Sequence, residues 1–217
     1  MPATAAITGD ITLLSDDLYR GKSVSGGRPV ARLGFAYEDL SGPYAGATAS
    51  VVHAPGGEVQ LLSVVEYAGV AQRLWPELTI DLGVMHTDYS RYWSGSRGTH
   101  YVEVYAGLIA RRFNARISLS PDYLRPGWRA AYGEANATLA SNELWDVSLH
   151  GGLFAWVAGG RPPGANRARY DWQISGGRKF GRFQIRAGWA GVGPQPDYYR
   201  GARRGHGTAT VSISAAL

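Results

Sequence analysis

The stretch Thr99–Ser120, T-H-Y-V-E-V-Y-A-G-L-I-A-R-R-F-N-A-R-I-S-L-S, constrains the fold more than any other. Val102, Val104, Ala106 and Leu108 alternate with Glu103, Tyr105 and Gly107. After Arg111-Arg112, Phe113, Ala115, Ile117 and Leu119 alternate with Asn114, Arg116 and Ser118. Successive side chains of a strand point to opposite faces, so period two on both sides of a very short turn predicts an antiparallel hairpin with one apolar and one polar face.

The same rule runs through the chain. Strands are expected at Thr8–Ser15, Pro29–Tyr37, Tyr44–His53, Val59–Tyr67 and Leu78–Met85. Beyond the hairpin they recur at Trp128–Ala140, Trp145–Leu153, Tyr170–Ile174, Phe183–Trp189 and through the final T-A-T-V-S-I-S-A-A-L. That is about 12 strands, an even number, of membrane-spanning length. Long polar connections at 16–28, 88–98, 159–167 and 192–206 alternate with short ones at 39–42, 111–112, 141–143 and 180–181; only 54–57 is shorter than that scheme prefers. A meander with long loops at one end and tight turns at the other is the layout of a transmembrane barrel. Residues 1–217 therefore read as one all-β domain: a transmembrane, antiparallel, up-and-down β-barrel with short periplasmic turns and longer extracellular loops.

Composition agrees with this and narrows function. There are 30 Gly, 13 Tyr and 7 Trp, which suits many turns and aromatic strands, and no Cys, which excludes a disulfide framework and thiolate metal sites. No run of about 20 apolar residues is present, so membrane crossing by helices is excluded while crossing by strands is not. The net charge of +5 is almost wholly arginine, because Lys22 and Lys179 are the only lysines. No recognition helix, lysine tract or RNP-like motif accompanies it, so nucleic acid is not an expected partner. Met1–Ala6 has neither a basic n-region nor an apolar h-region, so the chain reads as lacking a signal peptide.

Periodicity alone leaves open a soluble barrel or sandwich with the apolar face inward. The polar face points the other way. Arg32, Gln60, Glu66, Asp81, Glu103, Tyr105, Arg116, Glu134, Asp146, His150, Asp171 and Arg186 are mixed in sign, as suits a wet lumen, and are the expected lumen-lining residues. Two aromatic girdles are expected as well: Tyr37, Tyr44, Trp75, Phe113, Trp145 and Phe183 toward the short turns, and Tyr89, Tyr101, Tyr123, Trp128, Trp156 and Trp189 toward the long loops.

S-D-D-L-Y-R-G-K-S-V-S-G-G-R-P at 15–29, S-G-P-Y-A-G at 41–46, E-Y-A-G at 66–69, Y-V-E-V-Y-A-G at 101–107 and Y-D-W at 170–172 resemble, in order and spacing, the TorF-type porins of Gram-negative bacteria. The resemblance implies an exported outer-membrane barrel passing small solutes. Two features depart from it: the chain start has no leader pattern, and Leu217 stands last where an assembly signal usually ends in an aromatic residue.

Other chemistry is thin. Ser148 and His150 share a strand face as in outer-membrane lipases, but in reversed order and without a carboxylate fixed by spacing. His53, His86, His100, His150 and His206 show no ligand spacing, so neither metal nor cofactor is expected. Arg161, Arg167, Arg200, Arg203 and Arg204 lie in long loops, where they can meet lipopolysaccharide phosphates or funnel anions to a pore mouth. The expected function is passive passage of small hydrophilic solutes or ions, not catalysis. The alternatives are a closed structural or surface-binding barrel, because opposite charges can cross-link so narrow a lumen, and a lipid hydrolase using Ser148 and His150.

Overall fold

The computed structural model describes residues 5–94, 98–194 and 207–217. In chain order the strands are β1 (Ala6–Leu14), β2 (Leu18–Tyr19), β3 (Lys22–Ser23), β4 (Val30–Glu38), β5 (Pro43–His53), β6 (Val59–Trp75), β7 (Leu78–Tyr89), β8 (Thr99–Ala110), β9 (Phe113–Ser120), β10 (Trp128–Ser141), β11 (Trp145–Gly159), β12 (Ala168–Phe180), β13 (Phe183–Gly193) and β14 (Thr208–Ala216). All but β2 and β3 join one closed antiparallel barrel of twelve strands. Each strand pairs with its neighbours in sequence, β1 pairs with β4, and the circle closes where β1 pairs with β14. The Leu217 N–H donates to the Gly9 carbonyl at 2.9 Å and extends that seam. Closure leaves no strand edge, so the backbone polar groups of the wall are satisfied within it.

The alternation in the sequence becomes an apolar outside and a polar inside. Ile7, Ile11, Leu13, Leu33, Phe35, Leu82, Val104, Ile117, Leu149, Leu153, Ile174, Ile185, Val211 and Ile213 all point outward and are exposed, from strands all around the wall. Exposed apolar surface on that scale is foreign to a water-soluble monomer and is what a lipid-facing band requires. At the short-turn end Tyr37, Trp75, Phe113, Trp145, Phe180 and Phe183 stand outward as a belt.

The second girdle does not form as expected. Tyr89, Tyr101, Tyr123 and Trp156 are buried inside the barrel at the long-loop end, and Trp128 packs half-buried against them. Trp189 does face outward there, with Tyr170 and Trp172. The physical reason is parity. Tyr101 lies two residues from Glu103, and Trp156 an even number from His150, so each shares a face with lumen residues. Tyr44, expected in the lower belt, likewise points inward, where its hydroxyl donates to Asp81.

The buried apolar core is this inner cluster, and it sits in one half of the lumen. Val30, Val52, Leu62, Tyr89, Tyr101, Ala130, Tyr132, Phe154 and Trp156 converge on it from β4 round to β11. Glycine makes room where rings lie flat on the wall: a Cβ at Gly152 would sit 2.2 Å from the Tyr132 Oη, and one at Gly46 would sit 2.4 Å from Tyr67.

Candidate functional site

The first long connection does not extend outward as a surface loop. It folds back as the small hairpin β2–β3 and enters the core cluster, where Val24 and Tyr19 pack. Arg20 (φ 51°) and Gly21 (φ 75°) form its tip, both in the left-handed region, as a two-residue type I′ turn demands. For a residue with a side chain that backbone costs about 1–2 kcal/mol, so Arg20 must be held by its contacts. Its Nη2 donates to both oxygens of Glu103, at 2.8 and 2.7 Å, and the two side chains are only 5% and 1% exposed. The guanidinium lies over the Tyr132 ring at 4.3 Å and the Tyr19 ring at 4.7 Å. Tyr19 donates to Glu103 at 3.3 Å and accepts from Tyr101 at 2.9 Å. Burial pushes the Tyr19 phenol well above its ordinary range, against the nearby Arg20 charge, so it remains a donor. Gly21 fits because it has no side chain: a Cβ there would lie 2.5 Å from that of Asp171.

Acid–hydroxyl contacts fix the base of the hairpin. Asp16 accepts from the Ser23 and Ser25 hydroxyls at 2.6 and 2.7 Å and from the Gly27 N–H at 3.2 Å. Asp17 accepts from Arg32 Nη2 at 2.7 Å, which ties the hairpin to the β4 wall. Tyr92 donates to the Ser25 carbonyl at 2.6 Å from the opposite long connection.

Below the hairpin the lumen is open and polar. A chamber of about 610 Å³ runs from Tyr19, Arg20 and Gly21 to Arg111 and Arg112 at the short-turn end. A second space of about 1050 Å³ adjoins it past Met85 and Arg116, and is walled by Tyr44, Tyr67, Tyr105 and Asp81. Two arginines of these walls are held by carboxylates. Arg116 donates to Asp81 at 3.1 Å and lies over Tyr105 at 4.3 Å, and Arg186 pairs with Asp146 and donates to Ser148 at 3.0 Å. His150 meets Asp171 at 2.9 Å through Nε2 and Asn136 at 2.8 Å through Nδ1. Glu134 also borders the first chamber.

Of the residues expected to line the lumen, Arg32, Asp81, Glu103, Tyr105, Arg116, Glu134, Asp146, His150, Asp171 and Arg186 face inward. Gln60 pairs with Val52 at the long-loop rim, where it is exposed. Glu66 is a correction, since it lies on the outer face, 63% exposed, 3.2 Å from His86. The cause is a bulge in β6: pairing passes from Ser50↔Ser63 to Val51↔Leu61 and leaves Leu62 as an extra residue turned into the core. Val59 and Leu61 stay outside as expected, while Val65 and Tyr67 line the inner space and Glu66 turns out.

Arg161 and Arg167 are exposed beyond β11, and Arg200, Arg203 and Arg204 lie outside the described residues. Nothing joins Ser148 to His150. Ser148 is bonded to Ser175 at 2.9 Å and to Arg186, and both ring nitrogens of His150 are engaged elsewhere. The inserted hairpin was missed in sequence, because Arg20-Gly21 is not one of the Asn-Gly, Asp-Gly or Gly-Gly pairs that announce a two-residue turn; only Gly21 hints at it.

A family model described as "Bacterial protein of unknown function (Gcw_chp)" matches residues 2–216. The chain belongs to the Gcw_chp family. No curated protein matches this Gcw_chp chain in sequence. Among solved structures, its barrel is similar to the NanC porin, with a TM-score of 0.61 at 11% identity, covering 96% of this chain and 98% of that one. It is also similar to the KdgM porin, with a TM-score of 0.55 at 7% identity, covering 98% and 99%. A further KdgM structure, described as in complex with disordered oligogalacturonate, aligns with a TM-score of 0.52 at 8% identity, covering 98% and 99%. At such identities the likeness is one of fold, a closed barrel of porin type.

Proposed function

We propose that this Gcw_chp protein is an outer-membrane, porin-like channel for small hydrophilic solutes or ions, with the β2–β3 hairpin as its constriction. The observation that carries the reading is the chamber of about 610 Å³ under the hairpin, lined by paired Arg, Asp and His side chains inside a wall whose outside is apolar. Such a chamber has no use in a barrel that is merely a membrane staple. The short-turn end then faces the periplasm and the long connections face outward, as the topology of outer-membrane barrels requires. The NanC and KdgM likeness supports that placement, and the TorF-type motifs at 15–29 and 101–107 support a Gram-negative outer membrane in particular.

Catalysis is no part of the proposal, because the Ser148 and His150 side chains serve separate networks. A second reading, a barrel kept shut as a structural or surface-binding protein, is favoured by the packing of Arg20 and Glu103 into the core cluster. Swelling of liposomes containing the folded protein separates the two. Uptake of small sugars and salts is expected of a channel, and impermeable liposomes at every solute size would leave only the closed barrel.

A further inference from the structure

Tyrosine rings tile the inner wall over glycines. A Cβ at Gly152 would meet the Tyr132 Oη at 2.2 Å, one at Gly83 the Tyr105 Oη at 2.4 Å, one at Gly46 the Tyr67 Oη at 2.4 Å and one at Gly69 the Tyr44 Oη at 2.5 Å. A ring laid on bare backbone keeps one face against the wall and turns the other toward the lumen. At Tyr132 and Tyr105 the chain covers that face with its own cation. Arg20 lies over Tyr132 at 4.3 Å and is bonded to Glu103, and Arg116 lies over Tyr105 at 4.3 Å and is bonded to Asp81. Glycine, ring, guanidinium and carboxylate thus form one unit that the barrel uses twice.

At Tyr67 the unit lacks its cation. The ring borders the space of about 1050 Å³, with the Tyr44 centroid 6.2 Å away. The charged groups acting on Tyr67 are Glu38 on β4 and Asp10 on β1, both acids, and Glu38 borders the same space. Among the described residues no cation lies over Tyr67 or Tyr44, and none is bonded to Glu38 or Asp10. Two arginines border the space. Arg116 is committed to Asp81 and Tyr105, and Arg73 stands so far along β6 from Tyr67, about 20 Å at the rise of a strand, that its side chain does not reach the ring.

We infer that the lumen face of Tyr67, with Tyr44 beside it and Glu38 at its edge, binds an organic cation carrying a guanidinium or a primary amine. Such a solute takes at Tyr67 the place that Arg116 fills at Tyr105 and Arg20 at Tyr132. A ring face attracts a cation within about 6 Å of its centroid, and the carboxylate supplies the counter-charge. An anion meets acids and the negative face of the rings, and a neutral solute gains neither attraction.

The inference deepens the channel reading proposed above and rests on it for the route by which a solute reaches Tyr67; its test keeps the two apart. The probe is agmatine, which has a guanidinium at one end and an amine at the other, and the control is glutarate, a dianion of similar length. Each is titrated calorimetrically into the folded full chain in detergent, and each is added at low salt to planar bilayers holding the protein. Agmatine is expected to bind and to interrupt the current, and glutarate to do neither. Tyr67→Leu is expected to weaken agmatine binding about tenfold, while Tyr67→Phe, which keeps the ring face, stays within about twofold of wild type. Glu38→Gln is expected to weaken it about threefold. Heat-modifiable mobility checks that each variant is folded, and should Tyr67→Leu lose it, Glu38→Gln carries the test. Folded wild type that gives neither heat nor block with agmatine overturns the inference. So does glutarate binding as tightly as agmatine, or agmatine binding to folded Tyr67→Leu as tightly as to wild type. Agmatine heat that depends on Tyr67, with bilayers that stay silent, upholds the site and overturns the channel reading instead.

Discussion

Arg20→Ala tests how the hairpin closes the lumen. Arg20 and Glu103 are 5% and 1% exposed, and the arginine is the only cation bonded to that carboxylate among the described residues. With Arg20 truncated, Glu103 keeps only the 3.3 Å bond from Tyr19, and the rings of Tyr132 and Tyr19 lose the guanidinium between them. Removing one partner of a buried ion pair costs about 3–5 kcal/mol, because the other charge stays desolvated. That cost falls on the inserted state alone, since with the hairpin withdrawn Glu103 borders a wet lumen. At 1.4 kcal/mol per factor of ten, insertion weakens by about two to three and a half orders of magnitude. The assay is single-channel recording in planar bilayers, with heat-modifiable mobility as the check on folding. Arg20→Ala is expected to show a larger and longer-lived open level than wild type. Arg20→Met/Glu103→Leu, which removes both charges and keeps volume, is expected to return toward the wild-type level. Folded Arg20→Ala with wild-type conductance and lifetimes would refute the reasoning.

Three further outcomes follow from the same geometry. Gly152→Val places a methyl-bearing carbon where Tyr132 Oη and Asp171 Oδ2 already lie within 2.2 and 2.7 Å, so overpacking is expected to lower stability by about 1–3 kcal/mol in urea unfolding; an unchanged midpoint would sink this account of the inner wall. Ile117→Arg, on the outer face of β9, is expected to cost up to about 2–4 kcal/mol in a bilayer, whereas in a water-exposed wall it would fall within about 0.5 kcal/mol. In the turn between β4 and β5, the Ser41 hydroxyl and then the Ser41 backbone N–H hold the Asp39 carboxyl below its ordinary range. Its folded value being lowered, the turn gains stability that is present above the unfolded value and lost as pH falls through the folded one. Ser41→Ala is expected to raise the Asp39 value in an NMR titration, and no movement would show that Ser41 does not hold it.

Much of the fold was legible because strand period and turn chemistry are local. The hairpin β8–β9, the tight turns and the inward set from Arg32 to Arg186 follow from alternation alone. What escaped was non-local or lacked a composition signature. A bulge adds one residue without a marker, so Leu62 reversed the phase of β6 and sent Glu66 outward. The aromatic plug was half-visible, since Tyr101 shares the parity of Glu103 and Tyr89 that of Asp81, yet their place near strand ends suggested a membrane belt. The insertion of β2–β3 depends on contacts between Arg20 and Glu103, more than eighty positions apart, which no spacing rule reports. Likewise His86 and His100, unrelated in sequence spacing, become neighbours only through the β7–β8 register.

The most direct test of the central claim is the conductance of the full chain beside a variant in which residues 18–23, the β2–β3 hairpin, are replaced by a short Gly-Ser link. If the lumen is a solute path constricted by that hairpin, folded wild type gives small, reproducible channels and the variant gives larger ones that close less often. If both folded barrels leave the bilayer silent, the lumen is not a path, and the chamber beneath Arg20 is no part of a pore.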